Sequence, residues 1–193
     1  TTTASPTHLF TNTGTTDKTF TVRLRAESAD GCVDNAQTDI TVYSKVISDF
    51  SIATSEGCPP FTTTIDNTSI GNAANTYQWL IDNVPVGGAP TDDSDFDHLY
   101  ENTVSTVRNY NVKLIATNPH GCTSEHSDIV TVYEYVEASF SMDVNDGCTP
   151  LVVEFTDLSS VPAATKYTWD FDDGASSGQS DPTHTFYNSS RTT

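Results

Sequence analysis

Basic side chains are scarce in this chain: Lys and Arg number 8 against 26 Asp and Glu, a formal net charge of -18. A surface so acidic repels phosphate backbones and anionic headgroups, so nucleic acid and anionic membranes are poor partners, while divalent cations are drawn in by Coulomb steering. No run of about 18 apolar residues occurs, nor a basic segment followed by an apolar one, so neither a membrane span nor a signal peptide is expected here. Methionine appears once, and no segment has the apolar period of an amphipathic helix. CxxC and Cys/His pairs at zinc spacing are missing, which argues against a zinc or dithiol redox site. The G-x-S-x-G elbow and the phosphate-cradling glycine loop are missing too, so no enzyme is expected. Paired carboxylates are plentiful only because the whole chain is acidic, and they single out no glycosidase site.

What is present is a repeat with a period of ninety residues. Phe50 recurs as Phe140, Cys58 as Cys148, Pro60 as Pro150, Tyr77 as Tyr167 and Trp79 as Trp169. The same offset takes His8 to His98, Leu24 to Leu114, Cys32 to Cys122 and Thr41-Val42-Tyr43 to Thr131-Val132-Tyr133. A period this long exceeds the usual solenoid repeat, so each unit is read as a domain in a string.

Within each period, apolar and polar residues alternate with period two, as in Phe20 to Ala26, Tyr110 to Ala116 and Val152 to Thr156. Such segments are half-buried strands. Turn signals such as Asn118-Pro119-His120-Gly121 and Asp172-Asp173-Gly174 punctuate them. The fold class is therefore all-β: tandem immunoglobulin-like β-sandwiches stacked end to end, each with one Trp near its middle. Strands of the central unit are expected near 47–53, 61–67, 76–81, 84–87, 97–100, 108–117 and 127–133. The domains are read as 1–45, the C-terminal part of one unit; 46–134, a complete unit; and 135–193, the N-terminal part of a third. A longer polypeptide is the preferred account of the partial units, and strands donated by a neighbouring copy are the alternative. The short connection from Tyr133 to Ala138 predicts a semi-rigid rod.

The third unit carries Gly147-Cys148-Thr149-Pro150, then Tyr167-Thr168-Trp169-Asp170-Phe171-Asp172-Asp173-Gly174, then Asp181-Pro182-Thr183-His184-Thr185-Phe186. This resembles the PKD domain, whose hallmark is W-D-F-G-D-G followed by N-P-x-H-x-Y. Two departures stand out. Asp172 occupies the position of the hallmark's first glycine, and the central unit replaces the motif with Trp79-Leu80-Ile81-Asp82-Asn83, read as a variant hairpin. Tandem units of this kind are similar to those of large surface and gliding-motility adhesins of Bacteroidetes. The resemblance implies a spacer or interaction module on a surface protein, or a companion of catalytic domains in secreted hydrolases.

Several residues invite a chemical reading. Asp170, Asp172 and Asp173 are candidate calcium ligands, as are Asp92, Asp93 and Asp95 with Asp97 beside them. The competing expectation for the first group is a turn in which Asp side chains bond nearby amides and Gly174 takes positive φ. His8, His98 and His184 recur at one position before an aromatic and are read as packing and hydrogen-bonding devices. Trp79, Trp169, Tyr77 and Tyr167 share one face by period two and are read as core aromatics rather than a sugar-stacking platform.

Four cysteines, each preceded by glycine, suggest a disulfide framework outside a reducing cytosol. Cys32 and Cys58, like Cys122 and Cys148, lie 26 residues apart, yet two nearly extended strands separate them, far beyond disulfide reach. They are read as staples across domain junctions whose partners lie outside the chain. Sequons at Asn67 and Asn188 permit glycosylation in a suitable host.

These readings converge on a non-catalytic extracellular stalk or filament segment of a multi-repeat surface adhesin. Its expected partners are neighbouring repeats of the same polypeptide, with a surface polysaccharide or protein ligand besides, and no cofactor other than candidate calcium. The alternatives are a polysaccharide-, calcium- or protein-binding module and an accessory region of a secreted hydrolase.

Overall fold

A computed structural model describes residues 5–71, 73–160 and 166–188. Among them there is no helix, and so none long and apolar enough to cross a membrane. The first repeat contributes β1 (Lys18–Glu27) and β2 (Val33–Val42). The central repeat contributes β3 (Phe50–Ile52), β4 (Glu56–Gly57), β5 (Phe61–Asn67), β6 (Thr76–Ile81), β7 (Val84–Pro85), β8 (Phe96–Tyr100), β9 (Arg108–Thr117) and β10 (Thr123–Val132). The third contributes β11 (Phe140–Met142), β12 (Leu151–Asp157), β13 (Trp169–Asp170), β14 (Ser176–Ser177) and β15 (Thr183–Phe186). The chain is thus all-β, in several small antiparallel sheets compatible with immunoglobulin-like domains.

It divides into two compact units. One holds Thr1–Glu56, Thr62–Leu99 and Asn109–Thr131; the other holds Gly57–Phe61, Tyr100–Arg108 and Val132–Thr193. In the first, β1 and β2 form a two-stranded sheet in register from Lys18↔Val42 to Glu27↔Val33. The central repeat builds a five-stranded sheet in the order β4-β10-β9-β6-β7 and a three-stranded sheet β3-β5-β8. Alternation aims one side of each strand inward: Val112, Leu114 and Ala116 of β9, Val130 of β10, Trp79 of β6 and Ile65 of β5 are all buried. The two sheets touch through their rings, Phe50 lying edge-on to Trp79 at 5.2 Å and Trp79 to Phe96 at 5.1 Å. Full burial of such side chains contributes roughly 1.5–3 kcal/mol each.

The hairpin β6–β7 pairs Ile81 with Val84 across Asp82-Asn83, whose φ angles of 50° and 66° make the tight two-residue turn suited to twisted strands. This is the local form of the variant hairpin that the sequence predicts.

In the second unit, β11-β12-β15 form one sheet and β13-β14 another. Phe140 and Phe155 pack against Trp169, and Phe171 stacks on His184. The positions one period on from β9 and β10 fall past residue 193, and within the residues at hand Phe140 is 55% exposed where Phe50 is 5%. The sequon at Asn188 extends to Ser189 and Ser190, which lie outside the described residues.

Candidate functional site

The densest polar construction in the first compact unit lies where β2 leaves the first repeat. Asn12 places its Nδ2 2.8 Å from the carbonyl of Thr16, 2.9 Å from that of Val42 and 3.2 Å from that of Tyr43. Its Oδ1 accepts from the Gly14 amide at 3.0 Å. The Gly14 carbonyl in turn accepts from the amide of Lys45 at 2.9 Å, and Asp17 accepts from that of Ser44 at 2.8 Å. The exit segment Tyr43-Ser44-Lys45 is thereby held from one side.

The turn between β9 and β10 holds it from the other. Asn118, 4% exposed, donates from Nδ2 to the Ser44 carbonyl at 2.9 Å while its Oδ1 accepts from the amides of His120 and Cys122. His120 stacks on Tyr43 with ring centroids 3.8 Å apart and planes 2° from parallel, and its Nε2 lies 3.0 Å from an Asp17 carboxylate oxygen. The Ser44 amide, helped by His120, holds the Asp17 carboxyl below the ordinary carboxylate range. Every backbone polar group so paired escapes the cost of burial without a partner.

Ninety residues on, in the second compact unit, the asparagine device recurs. Asn102, 2% exposed, directs Nδ2 at the carbonyls of Thr106, Val132 and Tyr133, and its Oδ1 accepts from the Val104 amide. The Val104 carbonyl then accepts from the Tyr135 amide at 3.0 Å. Neither Asn12 nor Asn102 figures in the sequence reading, although their identical offset was a readable signal. Asp17 and His120 carry no such signal, because one period away stand Val107 and Asp30.

The acidic candidates are engaged locally. Asp170 accepts from the Asp172 amide and Asp173 from the Ala175 amide, while Asp172 and Gly174 take φ angles of 59° and 89°. Asp173 Oδ2 lies 2.7 Å from His184 Nε2, and that contact is the first cause of its lowered pKa. Asp92 bonds the Ser94 amide, and Asp97 accepts from Thr64. Asp95 raises the pKa of Asp66 by sharing a hydrogen bond with it and repelling its charge. Asp93 is exposed. Among the described residues no three His, Cys, Asp or Glu side chains come together to hold a metal ion.

His184 also meets Phe186 edge-on at 4.6 Å, and His8 meets Phe10 in the same way. His98 is partly buried, and that burial lowers its pKa. Trp79 is 2% and Tyr77 8% exposed, whereas Trp169 and Tyr167 are half-buried. The Trp169 indole donates to the Gln179 carbonyl at 2.8 Å.

Cys32, Cys58, Cys122 and Cys148 are free thiols, all exposed. The glycines before them serve two ends. Gly31 and Gly121 share a φ of 82°, a left-handed turn conformation. Gly57 and Gly147 instead leave room for Phe61 and Leu151, into which a Cβ would run.

No protein-family model and no curated protein matches the chain.

Proposed function

We propose that the chain is a non-catalytic spacer: tandem immunoglobulin-like, PKD-type sandwiches forming a semi-rigid segment of a large extracellular surface adhesin. The observation that carries this reading is the exit segment Tyr43-Ser44-Lys45, gripped by Asn12, Gly14 and Asp17 of its own repeat and by Asn118 and His120 of the next. A flexible tether leaves its amides and carbonyls to water, whereas a spacer that transmits orientation ties them to both neighbours. The PKD resemblance of residues 167–186 and the strongly acidic surface agree with a place outside the cell. In this setting the exposed thiols serve as staples between repeats, since Cys122 sits in the turn that grips Ser44.

The test is a spin-label distance distribution between Thr38 on β2 and Gln78 on β6, in the parent and in Asn118→Ala/His120→Ala. The parent is expected to give one narrow distribution that broadens in the variant and is the same with calcium or chelator. A broad distribution in the parent sinks the spacer reading. Specific retention on a glycan array, in either the calcium or the chelator arm, would replace it with a binding module.

A further inference from the structure

Two of the chain's 5 histidines meet the segment that joins the first repeat to the central one, residues 43–49, one at each end. At its start, His120 Nε2 lies 3.0 Å from Asp17 Oδ2, and the other oxygen of that carboxylate accepts from the Ser44 amide at 2.8 Å. At its finish, His126 Nε2 lies 3.6 Å from Asp49 Oδ1, which also accepts from the Phe50 amide at 3.0 Å. Each carboxylate thus serves a backbone amide and an imidazole of the β9–β10 hairpin at once. Between these ends the hold does not titrate: Asn118 bonds the Ser44 carbonyl, and Ser48 Oγ donates to the Leu114 carbonyl at 2.9 Å.

The scaffold of this joint repeats with the period, and its titrating pairs do not. Asn12, Tyr43 and Phe50 recur as Asn102, Tyr133 and Phe140, and Gly31 as Gly121. One period from Asp17 stands Val107, from His120 Asp30, from Asp49 Ser139 and from His126 Ala36. The hold of Asn102 and Val104 on Tyr133 and Tyr135 forms without any such pair, so the pairs add something the backbone grip does not require.

Charge changes what these contacts are. A neutral imidazole gives Asp17 a plain hydrogen bond, whereas a protonated one gives it an ion pair and lays a cation on the face of Tyr43, whose ring is parallel at 3.8 Å. Around His120 stand Asp17 from ahead of β1, Tyr43 from the end of β2 and Cys122 on its own turn. Around His126 stand Asp49 from ahead of β3 and, on its own strand, Asp128 and Glu125, the latter 3.7 Å from Lys113 of β9. Lys45, the one cation of the connector, is exposed. Imidazoles ordinarily take up their proton near pH 6.5. Asp17 remains ionised there, because first the Ser44 amide and then His120 hold its carboxyl below the usual 3.8. The added hold is therefore present below about 6.5, fades as pH rises through the imidazole range, and is lost again in strong acid as Asp17 takes up a proton below 3.8.

We propose that this joint is a pH-responsive clamp: protonation of His120 and His126 locks residues 43–49 onto the β9–β10 hairpin, through Asp17 at one end and Asp49 at the other, so that mild acidification stiffens the connection between these two repeats. The clamp rests on the spacer reading of this joint, and the experiment separates the two.

Amide hydrogen exchange of the chain, expressed as protection relative to the intrinsic rate at each pH, tests this. Between about pH 8 and about pH 5.5, protection of the Ser44 and Ser48 amides is expected to rise about three- to tenfold, and by less in about 1 M salt. Exchange at these two amides reads local opening of the connector, so the titration of His98 in β8 does not enter. The Tyr135 amide, bonded to the Val104 carbonyl as that of Lys45 is to Gly14, is expected not to respond. His120→Gln combined with His126→Gln leaves a neutral donor at each place and is expected to abolish the rise, with unchanged β9 amides showing the fold intact. Asp17→Asn, which keeps an acceptor for the Ser44 amide, is expected to abolish it at Ser44 alone. Protection that is flat or falls on acidification in the parent, or a rise that survives in these variants, overturns the clamp. Flat protection with a narrow label distribution leaves the spacer reading standing; a broad distribution at both pH values removes that reading and the clamp with it.

Discussion

The central and third repeats place their aromatic and aliphatic strand residues one period apart, but only the central one is present with the strands equivalent to β9 and β10. Trp79 is 2% exposed and Trp169 half-buried; Ile65 is fully buried and Phe155 half-buried. The strands β5 and β12 cover equivalent residues, 61–67 and 151–157, so the backbone conformation does not depend on completion of the core. Strand formation is set by local alternation and turn chemistry, whereas burial is set by β9 and β10, which arrive from about 35 residues downstream of Trp79. Within residues 135–188 the aromatic side chains of Phe140, Phe155, Trp169 and Phe171 form one cluster, beside hydrogen-bonded turns at Asp170 to Ala175.

This contrast can be broken at its most buried point. Trp79→Ala is expected to cost about 3–5 kcal/mol and Trp169→Ala clearly less, because the second ring already meets solvent. Calorimetry that resolves the two transitions checks this; equal losses would mean that the two cores are alike. Next in size, Asn102→Ala is expected to cost about 2–3 kcal/mol, since it orphans three carbonyls and an amide around a buried side chain. The less buried Asn12→Ala should cost about 1 kcal/mol. Chemical denaturation of both variants ranks them.

Acid sharpens the comparison further. Burial lowers the pKa of His98 from 6.5, so the unfolded chain takes up protons first, and this contribution to the central repeat is full above 6.5 and lost as pH falls through the lowered value. Asp173 is lowered from 3.8 by His184 and the Ala175 amide, so its contribution to the third repeat is present above 3.8 and lost only as pH falls below that. Melting temperatures across pH 7 to 3 should show the central transition softening first, and His98→Phe should remove that early phase. The smallest expected effect is that of His120→Ala, about 0.5 kcal/mol for a half-exposed ring stack, read from the transition of the first compact unit.

Much of the scaffold is legible in the sequence because it is local. Strands expected at 61–67, 76–81 and 108–117 appear with those bounds, and the Asp170 to Gly174 turn closes through amides within two residues of each carboxylate. β10 begins at Thr123 rather than 127, because its first residues, Thr123 to His126, are polar and offer no apolar alternation to read. The two-residue β4 offers no periodicity at all. The exit-segment grip was illegible for another reason. Asn12 meets Tyr43 across 31 residues and Asn118 meets Ser44 across 74, and an asparagine in a turn gives no sign of so distant a partner.

That grip has a thermodynamic consequence. Tyr43-Ser44-Lys45 completes hydrogen bonds for the repeat before it and the repeat after it, so melting either one strips partners from the other. At this one connector the stability of the two flanking repeats therefore contains a nearest-neighbour term beside their intrinsic ones.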